Sequence, residues 1–183
     1  MRGFTLVELM VTVAVMAILM TAAVPSFVDF FERNRVRGAA DGVISVVSDA
    51  RAEAVKNALD VNLSMAGSGT AWCIGGNAAL PPAGGNPAGV ADACDCTDAG
   101  ACLVSGQRLA VDVGAFPGVG VGALPAALAF DHTLGVVSPM GSRTVVLTSP
   151  RGKYDIAVQV NALGQARMCT PAGSPTMSGV APC

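Results

Sequence analysis

The chain has 183 residues and a formal net charge of −2, and its composition is 52% hydrophobic, 13% charged and 4% aromatic. A chain of this length holds one domain with an appendage. Basic and acidic residues are balanced along the sequence, with six against seven up to residue 60 and five against six beyond it. The balance excludes an obvious large basic patch for nucleic acid, although a few arginines could still cluster in space.

The first segment is an apolar run from Phe4 to Val24, in which Glu8 is the one charged residue. A charged side chain near the middle of a membrane segment costs about 2.5 to 3.5 kcal/mol, so it normally has a partner and a function. Thr5, Thr12 and Thr21 are the other polar residues of the run, and their hydroxyls bond backbone carbonyls without neutralising a carboxylate. We therefore expect the partner of Glu8 on another molecule.

Three interpretations of this segment compete. A secretory signal has a core of about 7 to 15 residues, whereas this run is longer and continues into a helical pattern. A single-pass anchor fits the length, since about 20 apolar residues span the hydrocarbon, but it leaves Glu8 unexplained. In the third, cleavage after Gly3 exposes an amine on Phe4, which could neutralise the Glu8 carboxylate of a neighbouring subunit.

A resemblance to the N-terminus of type IV pilins and pseudopilins is carried by the residues GFTLVELMVTVAVMAIL, followed by Pro25. The resemblance implies cleavage by a prepilin peptidase between Gly3 and Phe4, and N-methylation of Phe4. It implies a role for Glu8 in methylation and subunit packing. It also implies a single pass through the bacterial inner membrane with the head in the periplasm, followed by entry into a pilus or pseudopilus. The implied partners are other pilins, the prepilin peptidase and the inner-membrane assembly platform.

We expect an α+β, type IV pilin-like fold, with a long N-terminal helix packed on an antiparallel β-sheet head that is stapled by disulfides. Pro25 is expected to kink the helix, because the preceding turn can absorb the lost hydrogen bond. The predicted segments are a leader at 1–3, a transmembrane or filament-core helix at 4–24, an amphipathic helix at 25–60 and a β-rich head at 61–183. Within the head we distinguish a cysteine-rich loop at 75–102 and a C-terminal tail at 164–183.

The helical pattern continues beyond Pro25, because small or apolar residues recur at steps of three and four. This stripe predicts one buried helix face, which comprises Val36, Ala40, Val43, Val47, Ala50 and Ala54. Charged residues between Arg33 and Lys56 mostly fall off the stripe, and we interpret them as a solvated face. An unbroken helix from Phe4 to about Leu59 would be roughly 80 Å long.

After Asp60, short β-type runs alternate with Gly, Pro, Asn and Ser. The predicted strands are Val61 to Met65, Ala71 to Ile74, Arg108 to Val113, Ala127 to Phe130, Leu134 to Val137, Thr144 to Thr148, Tyr154 to Val160 and Ala166 to Cys169. The segment from Ser149 to Gly152 has the composition of a turn, which predicts an antiparallel hairpin of the two strands around it.

Six cysteines follow the apolar segment, and their placement outside the cytoplasm favours disulfides. We expect Cys169 to pair with Cys183 and close a loop in the tail. The other four, Cys73, Cys94, Cys96 and Cys102, are expected to pair among themselves. A bond between Cys94 and Cys96 is the least favoured, because one residue separates them and the ring would be tight. Zinc is the competing interpretation, but C-x-C-x5-C is not a standard finger spacing.

The head also resembles the C-terminal part of the GspH/FimT branch of minor pilins. The resemblance is carried by Phe130-Asp131, Leu134-Gly135, the strands after Thr144 and Tyr154, and the stretch from Leu163 to Cys169. FimT proteins that take up DNA carry a Gly-Arg-x-Arg motif, where this chain has Gly164-Gln165-Ala166-Arg167. Arg167 is therefore a possible DNA contact, but the loss of one cation to Gln165 removes an increment of counterion release and weakens DNA binding.

No catalytic constellation is found in the sequence. His132 is the single histidine and is predicted to be a loop or strand-end residue. The segment from Gly118 to Gly122 lacks the spacing of a dinucleotide loop and is predicted to be a flexible loop. A calcium ion is the weaker alternative for Asp92, Asp95 and Asp98, which would approach one another only if their loop curls.

The sequence therefore predicts a structural or priming subunit of a type IV pilus or a type II secretion pseudopilus, without enzymatic activity or a cofactor. Two alternatives stay open. One is a DNA-binding minor pilin of the FimT kind, and the other is a membrane-anchored exported domain that enters no filament.

Overall fold

The computed structural model describes residues 3–78, 94–96, 98, 100–123, 125 and 127–183, with the backbone alone for residues 22–25. Its helix α1 (Leu6–Asn57) has 52 residues and is about 78 Å long, as predicted from the sequence. The strands are β1 (Val61–Ser68), β2 (Ala71–Ala78), β3 (Leu103–Val104), β4 (Gln107–Arg108), β5 (Ala110–Asp112), β6 (Gly120–Val121), β7 (Leu128–Phe130), β8 (Val137–Ser138), β9 (Arg143–Thr148), β10 (Asp155–Val160) and β11 (Ala166–Cys169).

Two antiparallel sheets form the head in the described part of the chain. The first has the order β5-β2-β1-β7-β8 and the second β11-β10-β9-β6, while β3 and β4 pair separately. Paired hydrogen bonds between Gly69 and Val121 connect the sheets, and the Trp72 indole donates to the Val119 carbonyl at 2.9 Å. The expected α+β fold, a long helix on an antiparallel head, is confirmed.

The second half of α1 packs on both sheets through the stripe predicted from its periodicity. All six stripe residues are at most 1% exposed, and they share one apolar core with Leu63, Phe130 and Ile156. Gly42 lets the sheet approach closely, since a Cβ there would lie 3.2 Å from a methyl of Val111. Small side chains therefore bring the helix axis close to the strands.

The predicted hairpin of β9 and β10 is confirmed. Ser149 closes the turn, because its N–H donates to the Tyr154 carbonyl at 2.8 Å and its hydroxyl accepts from the N–H groups of Lys153 and Tyr154. Gly152 occupies the turn with φ +69°, a conformation that favours glycine. The register places Thr148 opposite Asp155.

The predicted strand from Leu134 to Val137 is wrong for most of its length, since β8 begins only at Val137. Asp131 explains the difference, because its carboxylate accepts hydrogen bonds from the N–H groups of Thr133 and Leu134 at 2.9 and 3.0 Å. A side chain that bonds the backbone ahead of it competes with strand pairing and favours a turn.

Two further predictions in the middle of the head are corrected. The strand from Arg108 to Val113 is divided, because β4 pairs with β3 whereas β5 pairs with β2. Val113 then starts a 3-10 turn, which Asp112 caps by accepting from Gly114 N at 2.8 Å. The prediction of a flexible loop at 118–122 is wrong. The segment contains strand β6, and Val119 just before this strand is fully buried.

The disulfides are Cys73–Cys96, Cys94–Cys102 and Cys169–Cys183, with Cα–Cα distances of 5.8, 5.2 and 4.9 Å. The tail pairing is the one expected from the sequence, and the other two join four cysteines that the sequence left open. Much of the predicted loop at 75–102 lies outside the described residues. Gly75 accommodates the Cys94–Cys102 bond, because a Cβ there would lie 2.6 Å from Cys102 Sγ and 2.8 Å from Cys94 Sγ.

We expect Gly75→Ala to destabilise the head by about 1 to 3 kcal/mol, because the clash is with two cross-linked sulfurs that cannot rotate away. Denaturant unfolding of the oxidised full chain, followed by the fluorescence of the single tryptophan, measures the change. Gly122→Ala is the matched control, since its nearest contact would be 3.8 Å away. Equal stability of the two variants would contradict the packing described for Gly75.

Candidate functional site

The N-terminus of α1 is fixed by Thr5, whose hydroxyl accepts a hydrogen bond from the Glu8 N–H at 3.3 Å. This N-cap satisfies one of the free backbone donors of the first turn. Gly3 and Phe4 therefore precede the helix, Phe4 is 84% exposed, and a Cβ at Gly3 would meet nothing within 4 Å. The peptide bond between them is accessible in the described structure.

The Glu8 carboxylate has no hydrogen-bond or ion-pair partner within the described part of the chain. Its position in the first turn favours a negative charge, because the helix dipole stabilises an acidic residue there by about 0.3 to 1 kcal/mol. That contribution is smaller than the roughly 2.5 to 3.5 kcal/mol that a charge costs in a membrane segment. The dipole alone therefore does not explain Glu8, and the expectation of an external partner stands as a prediction.

The first four turns of α1 expose large apolar side chains on every face. Thr12 and Thr21 satisfy their hydroxyls locally, by donating to the carbonyls of Leu9 and Ile18 at 2.8 and 2.7 Å. Eleven apolar residues are at least half exposed: Leu6, Val7, Leu9, Met10, Val11, Val13, Val15, Met16, Ile18, Leu19 and Met20. Burial of each of these side chains contributes roughly 1.5 to 3 kcal/mol. The free energy gained by covering the whole surface therefore exceeds the cost of burying the charge of Glu8.

Among the described residues, no single straight helix is long and apolar enough to cross a membrane. The segments Leu6–Thr21 and Ser26–Asn57, which meet at a bend of 40°, are long and apolar enough when taken together. The bend falls between Thr21 and Ser26, and its assignment to Pro25 stays a prediction.

An ion-pair cluster joins α1 to the β9–β10 turn where the helix enters the head. Arg151 contacts Glu32 Oε1 at 2.5 Å and Asp29 Oδ1 at 2.9 Å, and Lys153 contacts Asp29 Oδ2 at 2.5 Å. The hydrogen bond from Lys153, together with the positive charges of Arg151 and Arg33, lowers the pKa of Asp29. Glu32 is 6% exposed, so this contact belongs to the buried side of the helix.

The sequence did not single out Glu32 or Asp29 as contacts with the head. Asp29, Glu32 and Val36 follow one another at steps of three and four, so the two acids continue the buried stripe toward the N-terminus. This periodicity is the sequence signal that indicates a helix face turned toward the head for both acids. The predicted solvated face covers only charged residues from Arg33 to Lys56, and the cationic partners of Asp29 and Glu32 lie more than 100 residues away in the sequence.

Arg167 lies on β11 opposite Gln159 of β10, and its Nε and Nη2 donate to Gln159 Oε1 at 3.3 and 3.0 Å. Gln165, at the position of the missing arginine, bonds Asn161 through both its N–H and its side chain. A groove of about 740 Å³ borders these residues. Its lining comprises Ser142, Thr144, Gln159, Val160, Asn161, Gln165, Ala166 and Arg167, so Arg167 is the one charge among the described residues that line it.

His132 lies in the turn after β7, in agreement with its predicted place at a strand end. Its Nδ1 is 2.8 Å from Asp60 Oδ1, and this hydrogen bond, with the negative charges of Asp60 and Asp131, raises its pKa. Ligand atoms of the three residues lie within 4.8 Å of one another. Asp131 already accepts three hydrogen bonds from its own turn, so we interpret Asp60, Asp131 and His132 as residues that stabilise this turn and not as a metal site. For the calcium alternative, Asp92 lies outside the described residues.

Residues 1–24 match the family described as the prokaryotic N-terminal methylation motif. No curated protein matches the chain. Two solved structures of the type IV minor pilin FimU from Pseudomonas aeruginosa are similar to it. The first is 18% identical with a TM-score of 0.47, covering 76% of this chain and 91% of FimU. The second is 14% identical with a TM-score of 0.45, covering 72% and 90%. The N-terminal segment therefore carries the methylation motif, and these distant structures add no further support.

We expect Glu32→Gln to lower the thermal midpoint of the head by about 2 to 4 °C, because Arg151 loses one of its two carboxylate partners. Differential scanning calorimetry of the full chain in detergent measures the shift. Asp49→Asn is the control, since Asp49 is exposed and its side chain bonds only Ser45 among the described residues. A shift as large in the control would contradict the assignment of Glu32 to the contact between helix and head.

Stability should depend on pH through His132. Its pKa in the folded chain is raised above the ordinary 6.5, so the stabilising contact with Asp60 is fully present below that value and is lost as the pH rises through the raised pKa. Denaturation midpoints of the wild type and of His132→Asn should therefore differ most at about pH 5.5 and least at about pH 8.5. A difference that grows toward high pH would contradict this account.

Proposed function

We propose that this protein, which carries a prokaryotic N-terminal methylation motif, is a minor pilin or pseudopilin. It serves as a structural or priming subunit of a type IV pilus or a type II secretion pseudopilus. The observation that carries the proposal is the Glu8 carboxylate, which has no partner in the described chain and lies in the part of α1 that exposes apolar side chains on every face. Glu8 lies in the first turn of α1, four residues after Phe4 and the accessible bond between Gly3 and Phe4.

Processing supplies the missing partner of Glu8. A prepilin peptidase removes the leader after Gly3, and the new amine of Phe4, which keeps its positive charge after N-methylation, lies near the start of α1. The Phe4 amine of one subunit then pairs with the Glu8 carboxylate of its neighbour. Because a buried charge is costly when it is unpaired, the pair selects one axial register of the neighbouring helices.

The exposed apolar half of α1 has two successive environments. It first anchors the chain in the bacterial inner membrane, with the head in the periplasm, and the inner-membrane assembly platform then transfers it to the filament core. In the filament, the helices of other pilins replace lipid around the same side chains. The head, held by three disulfides, forms the outer surface.

DNA capture remains the alternative function and rests on Arg167. This arginine reaches the groove between β9, β10 and β11, but its guanidinium is engaged by Gln159 and its described neighbours in the groove are uncharged. Since DNA affinity grows with the number of cations that neutralise phosphates, one arginine supports weak binding. We therefore place DNA second to filament assembly.

Separate Glu8→Ala and Gly3→Leu variants test the assembly function against a membrane-anchored domain that enters no filament. We expect Gly3→Leu to retain the leader, as read by the intact mass, and Glu8→Ala to lose at least about tenfold of the protein recovered in sheared filaments. Asp41→Ala, an exposed acidic residue farther along the same helix, is the control and should assemble normally. Normal assembly of both variants would leave the anchored domain as the better interpretation.

A further inference from the structure

The charge of the chain is divided between two regions of opposite sign. Where α1 enters the head, five cations accompany the two acids Asp29 and Glu32, which gives this end a net charge of +3; the five are Arg33, Arg35, Arg37, Arg151 and Lys153. The rest of the chain beyond residue 38 carries five basic and ten acidic residues. An acidic protein therefore concentrates positive charge at the end of the head that is nearest the apolar segment.

Three of these cations are available to a partner. Asp29 and Glu32 are matched by Arg151 and Lys153, so the excess charge resides on Arg33, Arg35 and Arg37, which we call the arginine collar. All three are exposed, and none forms an ion pair within the described part of the chain.

The contacts of the collar place it around the helix. Arg35 donates to the Pro117 carbonyl at 3.0 Å and Arg37 to the Ser178 carbonyl at 3.4 Å, on loops far apart in the sequence, while Arg33 lies 5.4 Å from the centre of the Tyr154 ring. None of these contacts is with a carboxylate, although the charge of Arg33 also acts on nearby Asp29.

The position of the collar along α1 fits a membrane surface. If Val24 marks the edge of the hydrocarbon, Arg33 and Arg37 lie about 14 and 20 Å beyond it. Headgroups extend roughly 5 to 7 Å beyond that edge. Side chains of a helix lean toward its N-terminus, which here is the membrane side, so the guanidinium groups come within about one Debye length of the headgroups.

The same helix segment also exposes aromatic side chains. Phe27, Phe30 and Phe31 are 61%, 56% and 60% exposed, and they lie about 4 to 10 Å beyond Val24, at headgroup depth. Exposed aromatic rings next to arginines are typical of helix surfaces that insert at the boundary between headgroups and acyl chains.

We propose that the arginine collar binds anionic phospholipid headgroups of the membrane in which the chain is anchored, and so holds the head on the bilayer until assembly withdraws it. The inference rests on the proposed function, because it requires the apolar half of α1 to be in a membrane. If the arginines served only to hold the head through hydrogen bonds to the carbonyls of Pro117 and Ser178, uncharged hydrogen-bond donors would serve equally well.

Spin-labelled lipids test this proposal on the full chain reconstituted in vesicles. The chain should restrict the motion of labelled phosphatidylglycerol more than that of labelled phosphatidylcholine, with a relative association about three- to tenfold higher, since each cation near an anionic surface contributes up to about fivefold. The preference should fall at high salt. The triple variant R33Q/R35Q/R37Q should lose it, R33K/R35K/R37K should keep it, and the distal control R108Q/R143Q/R167Q should behave as the wild type.

Equal association of both lipids with the wild type would overturn the proposal, as would a preference that survives in the glutamine variant or disappears in the lysine variant. Should the glutamine variant not fold, the salt dependence of the wild type and the lysine variant decides, and its absence overturns the proposal. If the leader is removed and filaments assemble while no lipid preference is seen, the inference fails and the assembly function stands.

Discussion

The contact between the second half of α1 and the two sheets is the interaction on which the rest of the structure depends. Ala40, Ala50 and Ala54 are fully buried, and their small side chains let one helix face lie directly on the strands. The ion pairs of Asp29 and Glu32 extend that contact to the point where the helix enters the head. The head is thereby fixed to the second part of the helix, whereas the large apolar residues from Leu6 to Met20 stay at least half exposed in the described structure.

This division accounts for the chemistry of the N-terminus. An apolar helix that is exposed on every face lowers its free energy only by entering lipid or by packing against other helices, and the gain greatly exceeds the cost of one carboxylate. Under the proposed function, Glu8 accompanies the helix into an apolar environment and makes packing there depend on register. The proposed partner is an amine, which would exist only after cleavage of the bond between Gly3 and Phe4.

The features that follow a short sequence period were predictable. The steps of three and four from Val36 to Ala54 predicted the buried stripe, and the alternation from Tyr154 to Val160 predicted β10. The features that depend on distant partners were not. Glu32 is buried because it pairs with Arg151, which lies 119 positions away in the sequence. Leu134 is a different case, because Asp131, only three residues before it, accepts a hydrogen bond from its N–H and favours a turn over a strand. Four cysteines between Cys73 and Cys102 allow several pairings, and the local spacing does not choose among them.

The central claim is that Glu8 pairs with the Phe4 amine of a different subunit. Zero-length carbodiimide cross-linking of filaments assembled from a mixture of ¹⁴N- and ¹⁵N-labelled chains tests it most directly. The account predicts a product in which the Phe4 nitrogen of one isotope is joined to the Glu8 carboxylate of the other. Filaments that yield this bond only within single chains, or that contain chains still carrying Met1, would contradict it.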